Sequence, residues 1–156
     1  GPGVLRCYYK NPEATAEILS PDGWLRTGDM AEMRDGFIYL VDRAKDVIIT
    51  GGENLYPVQI EDFMRGNPKI KDVAVIGLPD ERLGEIAAAI VEVKESMELT
   101  EAELESFCLD LPRYKRPRKF IFAPVPRNPT GKIEKPKLRR MYCGESLVAQ
   151  QVGLKV

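Results

Sequence analysis

Apolar and polar positions alternate along the chain in ways that name its elements one after another. Glu13–Leu19 has helix-forming composition and lies between turn signals at Asn11-Pro12 and Pro21-Asp22-Gly23. Ala31–Arg34 and Phe37–Val41 are β-prone runs on either side of Asp35-Gly36, a strong short-range signal for a hairpin. Val47-Ile48-Ile49-Thr50 is β-branched throughout and predicts a strand. Gly51-Gly52 follows it and can turn sharply, take positive φ, or let a ligand approach the backbone. Pro57 suits a first helical turn, and Ile60, Phe63 and Met64 fall at i, i+3 and i+4 on one face. Gly66-Asn67-Pro68 ends that helix.

Two long apolar runs, Val73–Leu78 and Ile86–Val93, predict buried strands with a charged loop, Pro79–Glu85, between them. Thr100 caps a further helix, and Glu103, three residues on, completes a capping box. Leu104, Phe107, Cys108 and Leu111 form its buried stripe, and Pro112 stops it. Lys119–Ala123 predicts another strand, Pro129–Lys132 a turn carrying one lysine, and Pro136–Tyr142 a short helix.

These elements assemble into an α+β domain: a small mixed sheet of about three strands with three helices. Residues 43–143 are expected to form this domain, and residues 144–156 a weakly patterned tail. Residues 1–42, ending in the hairpin, make no core of their own and read as the last strands of a larger N-terminal domain.

Composition narrows the chemistry. The chain has 156 residues, 44% of them hydrophobic and 30% charged, as is ordinary for a globular protein. No apolar run approaches the roughly 20 residues of a membrane span. The first residues carry neither a methionine nor a signal-peptide pattern, so the segment is expected to come from a longer chain. With no histidine, histidine-based triads, acid–base chemistry and metal sites are excluded. Cys7, Cys108 and Cys143 are far apart and form no CxxC pair, which fits packed or free thiols in a reducing, intracellular setting.

Charge is unevenly laid out. From Asp80 to Asp110 acids outnumber bases ten to two, and from Arg113 to Arg140 bases outnumber acids eleven to one. A block that basic suggests a polyanionic ligand, with phosphate the usual one, although a solvated surface reads the same way. Aromatic residues do not interleave with the bases as stacking on nucleic acid requires. Asp29, after a glycine, is placed to stand clear of its neighbours and accept hydrogen bonds from two vicinal hydroxyls, as a ribose presents. A simple Asx turn is the plainer reading of the same residue.

Four motifs then occur in order: Gly23–Asp29 (GWLRTGD), Asp35–Glu61 (DGFIYLVDRAKDVIITGGENLYPVQIE), Leu111–Pro117 (LPRYKRP) and Pro126–Arg140 (PRNPTGKIEKPKLRR). Together they resemble the C-terminal end of adenylate-forming enzymes, the superfamily of acyl-CoA synthetases, peptide-synthetase adenylation domains and luciferases. The resemblance covers about residues 1–142, with Cys7 where a glycine is more usual. It implies a mobile small domain that closes over a large one, ATP and coenzyme A as substrates, and Mg2+ held by the large domain. The implied reaction activates a carboxylic acid, expected to be a fatty or other apolar acid, as its acyl-adenylate and passes it to a thiol.

Residue by residue, the resemblance implies that Asp29 and Arg43 hold the ribose of ATP and AMP, and that Lys45 is the hinge. It implies that Gly51 and Gly52 line the pantetheine channel and that Lys132 is the adenylation lysine; it implies no metal ligand in this segment. Relatives that carry a lysine at the position of Ile49, or an arginine near Asn54, have roles that do not transfer here. The phosphate loop, acyl pocket and usual magnesium ligand are all absent from the sequence, so the segment alone is expected to be inactive. Two other functions fit the motifs less well: an adenylation domain loading a carrier-protein thiol, and a non-catalytic nucleotide- or CoA-binding module that has kept the fold.

Overall fold

The computed structural model describes residues 3–144; the predicted tail, beyond Gly144, lies outside them. Helix α1 (Pro12–Ile18) starts where Asn11 Oδ1 accepts the Ala14 N–H at 3.0 Å. Strands β1 (Asp29–Arg34) and β2 (Phe37–Arg43) form the expected antiparallel hairpin, with positive φ at Asp35 and Gly36 as a primed turn needs. Residues on both faces of this ribbon are uncovered: Met33, Phe37, Ile38, Tyr39 and Leu40 are all at least half exposed. A two-stranded hairpin is marginal alone, and an apolar surface of this kind marks a contact face.

The second sheet is mixed, as expected, but has five strands. They are β3 (Ile48–Thr50), β4 (Glu53–Leu55), β5 (Ile70–Asp80), β6 (Gly84–Val93) and β7 (Lys119–Phe122). β5 pairs antiparallel with β6 over nearly its whole length. The other edge of β6 is shared, by β3 at Gly84 and by β7, in parallel, at Ala88–Val91. The charged loop expected from Pro79 to Glu85 is mostly strand: only Glu81-Arg82-Leu83 lies outside the ladder, closed by Asp80 Oδ1 accepting the Arg82 and Leu83 N–H groups. Short β4, hidden beside a helix start, is the other addition.

Both faces of β5 and β6 are covered, which is why they read as unbroken apolar runs rather than alternating ones. Helices α2 (Pro57–Arg65) and α3 (Glu101–Phe107) cover one face, where Ile60, Met64 and Leu104 meet Val73, Val75, Ala87 and Ala89. Helix α4 (Lys135–Cys143) covers the other, where Leu138 meets Ala74, Ile76, Ala88 and Ile90. Each fully buried Leu or Ile contributes about 1.5–3 kcal/mol over an exposed one. The capping box forms as predicted, with Glu103 N–H on Thr100 Oγ1 at 3.3 Å and Thr100 N–H on Glu103 Oε2 at 2.8 Å. Phe107, predicted in the buried stripe, instead sits half-buried with its ring 5.0 Å from that of Phe63.

Candidate active site

The hairpin brings Asp29 and Arg43 together. They are cross-strand partners, and Arg43 Nη1 donates to Asp29 Oδ1 at 2.6 Å. Asp29 therefore does not stand clear, as its position after Gly28 suggested; one oxygen is engaged by a guanidinium. The pair is open to solvent, with 28% of the Asp29 side chain and 54% of the Arg43 side chain exposed. Two groups of opposite chemistry, an acceptor and a fork of donors, thus sit side by side facing outward.

Past Arg43 the chain makes one 3-10 turn, Ala44–Asp46, whose side chains divide sharply. Lys45 is exposed, whereas Asp42 and Asp46 on either side are buried. Asp42 uses both oxygens, accepting the Arg43 N–H at 2.7 Å and the Val58 N–H of α2 at 2.9 Å. Asp46 pairs with Arg139 of α4 at 2.9 Å, and both are nearly buried. Lys45 is therefore the exposed middle of a short link with firmly bonded ends.

Lys132 sits on the loop that leads into α4. Asn128 organises this loop: its Oδ1 accepts the N–H groups of Thr130 and Lys132 at 3.0 and 2.9 Å and the Thr130 hydroxyl at 2.7 Å. Arg127 braces it from beneath, donating to Gly131 O and, through Nε and Nη2, to both oxygens of Asp72 at 2.6 and 2.9 Å. Burial pushes the Asp72 carboxyl up, but hydrogen bonds from Arg127 and the Val73 N–H, with the charges of Arg127 and Arg65, outweigh it and hold the group below its ordinary value. The main chain at Lys132 is thus pinned, while its side chain is exposed, and no carboxylate pairs with it among the described residues.

Lys132 and Lys45 line one cleft of about 380 Å³. Arg43, Arg65, Arg127 and Lys135 also line it, against the carboxylates of Asp42, Asp46 and Glu61, so its walls are net cationic. A second depression, formed by Asp29, Leu40 and Val41, shares Asp42, Arg43 and Val58 with the first. The Asp29–Arg43 pair and the Lys132 ammonium thus open onto adjoining hollows. Below them, buried Glu61 accepts the Val75 N–H at 2.8 Å and lies 2.8 Å from Lys135 Nζ. The two form a buried ion pair.

Gly51 and Gly52 do not line this cleft. They form the two-residue turn between β3 and β4, both with positive φ, which Gly adopts without strain. A side chain at Gly52 would meet nothing nearby, so the turn presents bare main chain to solvent. Much of the basic block has internal work: Lys115 donates to Gln59, Arg116 to the carbonyls of Leu109 and Leu111, Arg127 to Asp72 and Arg139 to Asp46. Sequence reasoning missed Asp42, Asn128 and Arg127, which hold the site's loops; only Asn128, before Pro-Thr-Gly, carried a readable Asx-turn signal. No group of three or more His, Cys, Asp or Glu among the described residues is arranged to hold a metal.

The chain is similar to known proteins over most of its length. Residues 59–132 match the family model for the AMP-binding enzyme C-terminal domain. The chain carries that domain, and it belongs to the adenylate-forming enzymes. It is 52% identical over 142 residues to the long-chain-fatty-acid–CoA ligase FadD13 of Mycobacterium tuberculosis (strain ATCC 25618 / H37Rv), covering 89% of this chain and 28% of the ligase. The chain spans between about a quarter and a third of the length of these relatives. The structure of ATP-bound MatB from Rhodopseudomonas palustris superposes with a TM-score of 0.83 at 34% identity, over 94% of this chain and 29% of MatB. Apo MatB superposes over the same 94% of this chain and 30% of MatB with a TM-score of 0.65 at 35% identity.

Proposed function

We propose that residues 43–143 are the mobile C-terminal domain of an ATP-dependent acyl-CoA ligase acting on a fatty or similarly apolar acid, and that residues 1–42 are the end of its large N-terminal domain. The observation that carries the reading is Lys132: an exposed ammonium, without a carboxylate partner among the described residues, on a braced loop beside the Asp29–Arg43 pair. The identity to a long-chain-fatty-acid–CoA ligase supports the choice of acid.

In the first half-reaction an oxygen of the acid attacks the α-phosphorus of ATP, the bond to pyrophosphate breaks, and an acyl-adenylate forms. Like charges approach, and Lys132 offsets the charge that develops between them. One such donor contributes about 2.7–4 kcal/mol, or about 10²–10³ in rate. Asp29 accepts hydrogen bonds from the ribose hydroxyls while Arg43 holds Asp29 in place and reaches the same sugar. In the second half-reaction the coenzyme A thiol loses its proton, its sulfur attacks the acyl carbon, and AMP leaves. That step needs a narrow path past the Gly51-Gly52 turn and no lysine across it.

Lys132 and the glycine turn do not share a cleft, so one orientation cannot offer both, and rotation about Lys45 exchanges them. The MatB pair supports this reading. A segment moving as one rigid piece gives similar scores in both states, whereas agreement with this chain falls from 0.83 to 0.65 between ATP-bound and apo MatB. The exposed apolar hairpin, with Ile38 and Leu40 uncovered, is the surface by which these last strands pack into the rest of the large domain. Mg2+ neutralises nucleotide phosphates when bound, and its ligands belong to that large domain. A compartment holding ATP and coenzyme A, inside the cell, is required.

The test is direct. The full-length protein, given ATP, coenzyme A and a panel of straight-chain acids, forms AMP, pyrophosphate and acyl-CoA, while residues 1–156 alone form none above background. Failure of every acid in the panel, or turnover by the isolated chain, overturns the proposal.

A further inference from the structure

The glycine turn is anchored to one place in the sheet. Gly51 N–H donates to Leu83 O at 2.8 Å, and Thr50 bridges Gly84. The third anchor is a side chain: Glu85 Oε2 accepts the Ile49 N–H at 2.9 Å. Thr50 and Glu53 flank the two-residue turn, so the next residue, Ile49, directs its N–H away from β4 toward the opposite edge. β6 supplies only one ladder partner there, and the Glu85 carboxylate takes the place of the missing main-chain acceptor.

The sheet is shaped around this carboxylate. Gly77, buried in the middle of β5 with ordinary extended backbone, needs no positive φ. A Cβ there would lie 2.8 Å from Glu85 Oε1, so the carboxylate, at the free end of a flexible side chain, would have to move away from its present place. Glycine weakens a strand interior, and its presence marks a close approach; here the group that approaches is Glu85. Pro79 stands opposite Glu85 and Gly77 opposite Ala87, so the side chain lies diagonally over Gly77.

We propose that Glu85 is a positioning residue for the thiol half-reaction: by holding Ile49 it fixes the height and tilt of the Gly51-Gly52 turn along which the pantetheine arm passes. This rests on the assignment of that turn to the pantetheine channel. Two of the three anchors are main chain, so Glu85 is the anchor that a side-chain substitution removes.

The experiment uses the full-length enzyme and separates the half-reactions, with pyrophosphate release for adenylation and thioester formation from supplied dodecanoyl-adenylate and coenzyme A for the second. Glu85→Ala raises KM for coenzyme A about tenfold in the second half-reaction, the effect of one lost charge-assisted hydrogen bond, and changes adenylation by less than about twofold. Glu85→Gln, which keeps an acceptor for Ile49, restores KM to within about threefold of the parent value. Gly77→Ala, which displaces the carboxylate, reproduces the Glu85→Ala profile. A bulky residue at the turn, Gly52→Leu, serves as control for the channel itself. If Gly52→Leu leaves thioester formation unchanged, the channel assignment fails. If Gly52→Leu blocks it while Glu85→Ala leaves KM for coenzyme A unmoved, or lowers both half-reactions alike, the positioning role is overturned and the channel assignment stands.

Discussion

Asp42 Oδ2 and the Val58 N–H are joined at 2.9 Å, and this bond crosses the segment that carries Lys45. Asp42 is the last residue but one of β2, and Val58 lies in the first turn of α2, whose own cap residue, Tyr56, makes no side-chain cap hydrogen bond. A carboxylate from across the link therefore does the work of an N-cap, favoured also by the helix dipole. Asp42→Ala leaves the Val58 and Arg43 N–H groups without this acceptor and lowers stability by about 1–2 kcal/mol. Asp42→Asn recovers most of it. Urea unfolding, compared at constant slope, reads both.

The Glu61–Lys135 pair predicts a larger effect. Glu61 is 3% exposed and Lys135 7%, so removing the cation strands a buried carboxylate. Breaking such a pair from one side costs about 3–5 kcal/mol. Arg65 remains 3.6 Å from the other Glu61 oxygen, which puts Lys135→Ala at the lower end of that range. A melting temperature unchanged in Lys135→Ala contradicts this account of the pair.

Glu103 gives a pH prediction. Hydrogen bonds from Lys69, then from the Thr100 backbone and hydroxyl, hold its carboxyl down from an ordinary 4.5 to about 2. A carboxylate depressed by folding adds stability above its unfolded value and loses that contribution as pH falls through the folded one. The cap of α3 therefore persists at pH 4 and is lost between about pH 3 and 2 as Glu103 protonates. Titration of the Glu103 carboxyl carbon by NMR checks the midpoint, and Glu103→Gln removes the step.

Cys108 predicts an inert thiol. Burial, opposed only by the charge of Arg116, pushes it up to about 11, and its side chain is sealed under α3. Iodoacetamide at neutral pH labels Cys108 only once the domain is unfolded in urea. Labelling of the native protein at this residue shows a core looser than the one described.

Much of the fold was legible because its signals are local. Asp35-Gly36 set the hairpin, Thr100 and Glu103 the cap, and the apolar runs around Ala74 and Ile90 the two central strands. β4 was not legible, since Glu53-Asn54-Leu55 has little strand character and is held by pairing with β3 alone. The continuity of β5 and β6 through Pro79 and Glu85 was hidden for the same reason: charge and proline read as loop, while the ladder is fixed by partners across the hairpin. Of the candidate site, the turns that carry Lys132 and Gly51-Gly52 could be read from sequence. The buried carboxylates could not, because Asp46 finds Arg139 and Glu61 finds Lys135 only after distant segments fold together.

The central claim is that Lys132 serves one half-reaction and the Gly51-Gly52 turn the other. The most direct measurement is the rate of each half-reaction in full-length Lys132→Ala. Pyrophosphate release falls by about 10²–10³, as expected for loss of one charge-stabilising donor, while thioester formation from supplied acyl-adenylate stays within about threefold of the parent rate. Equal loss of both, in a variant whose unfolding curve matches the parent, contradicts the division of labour on which the account rests.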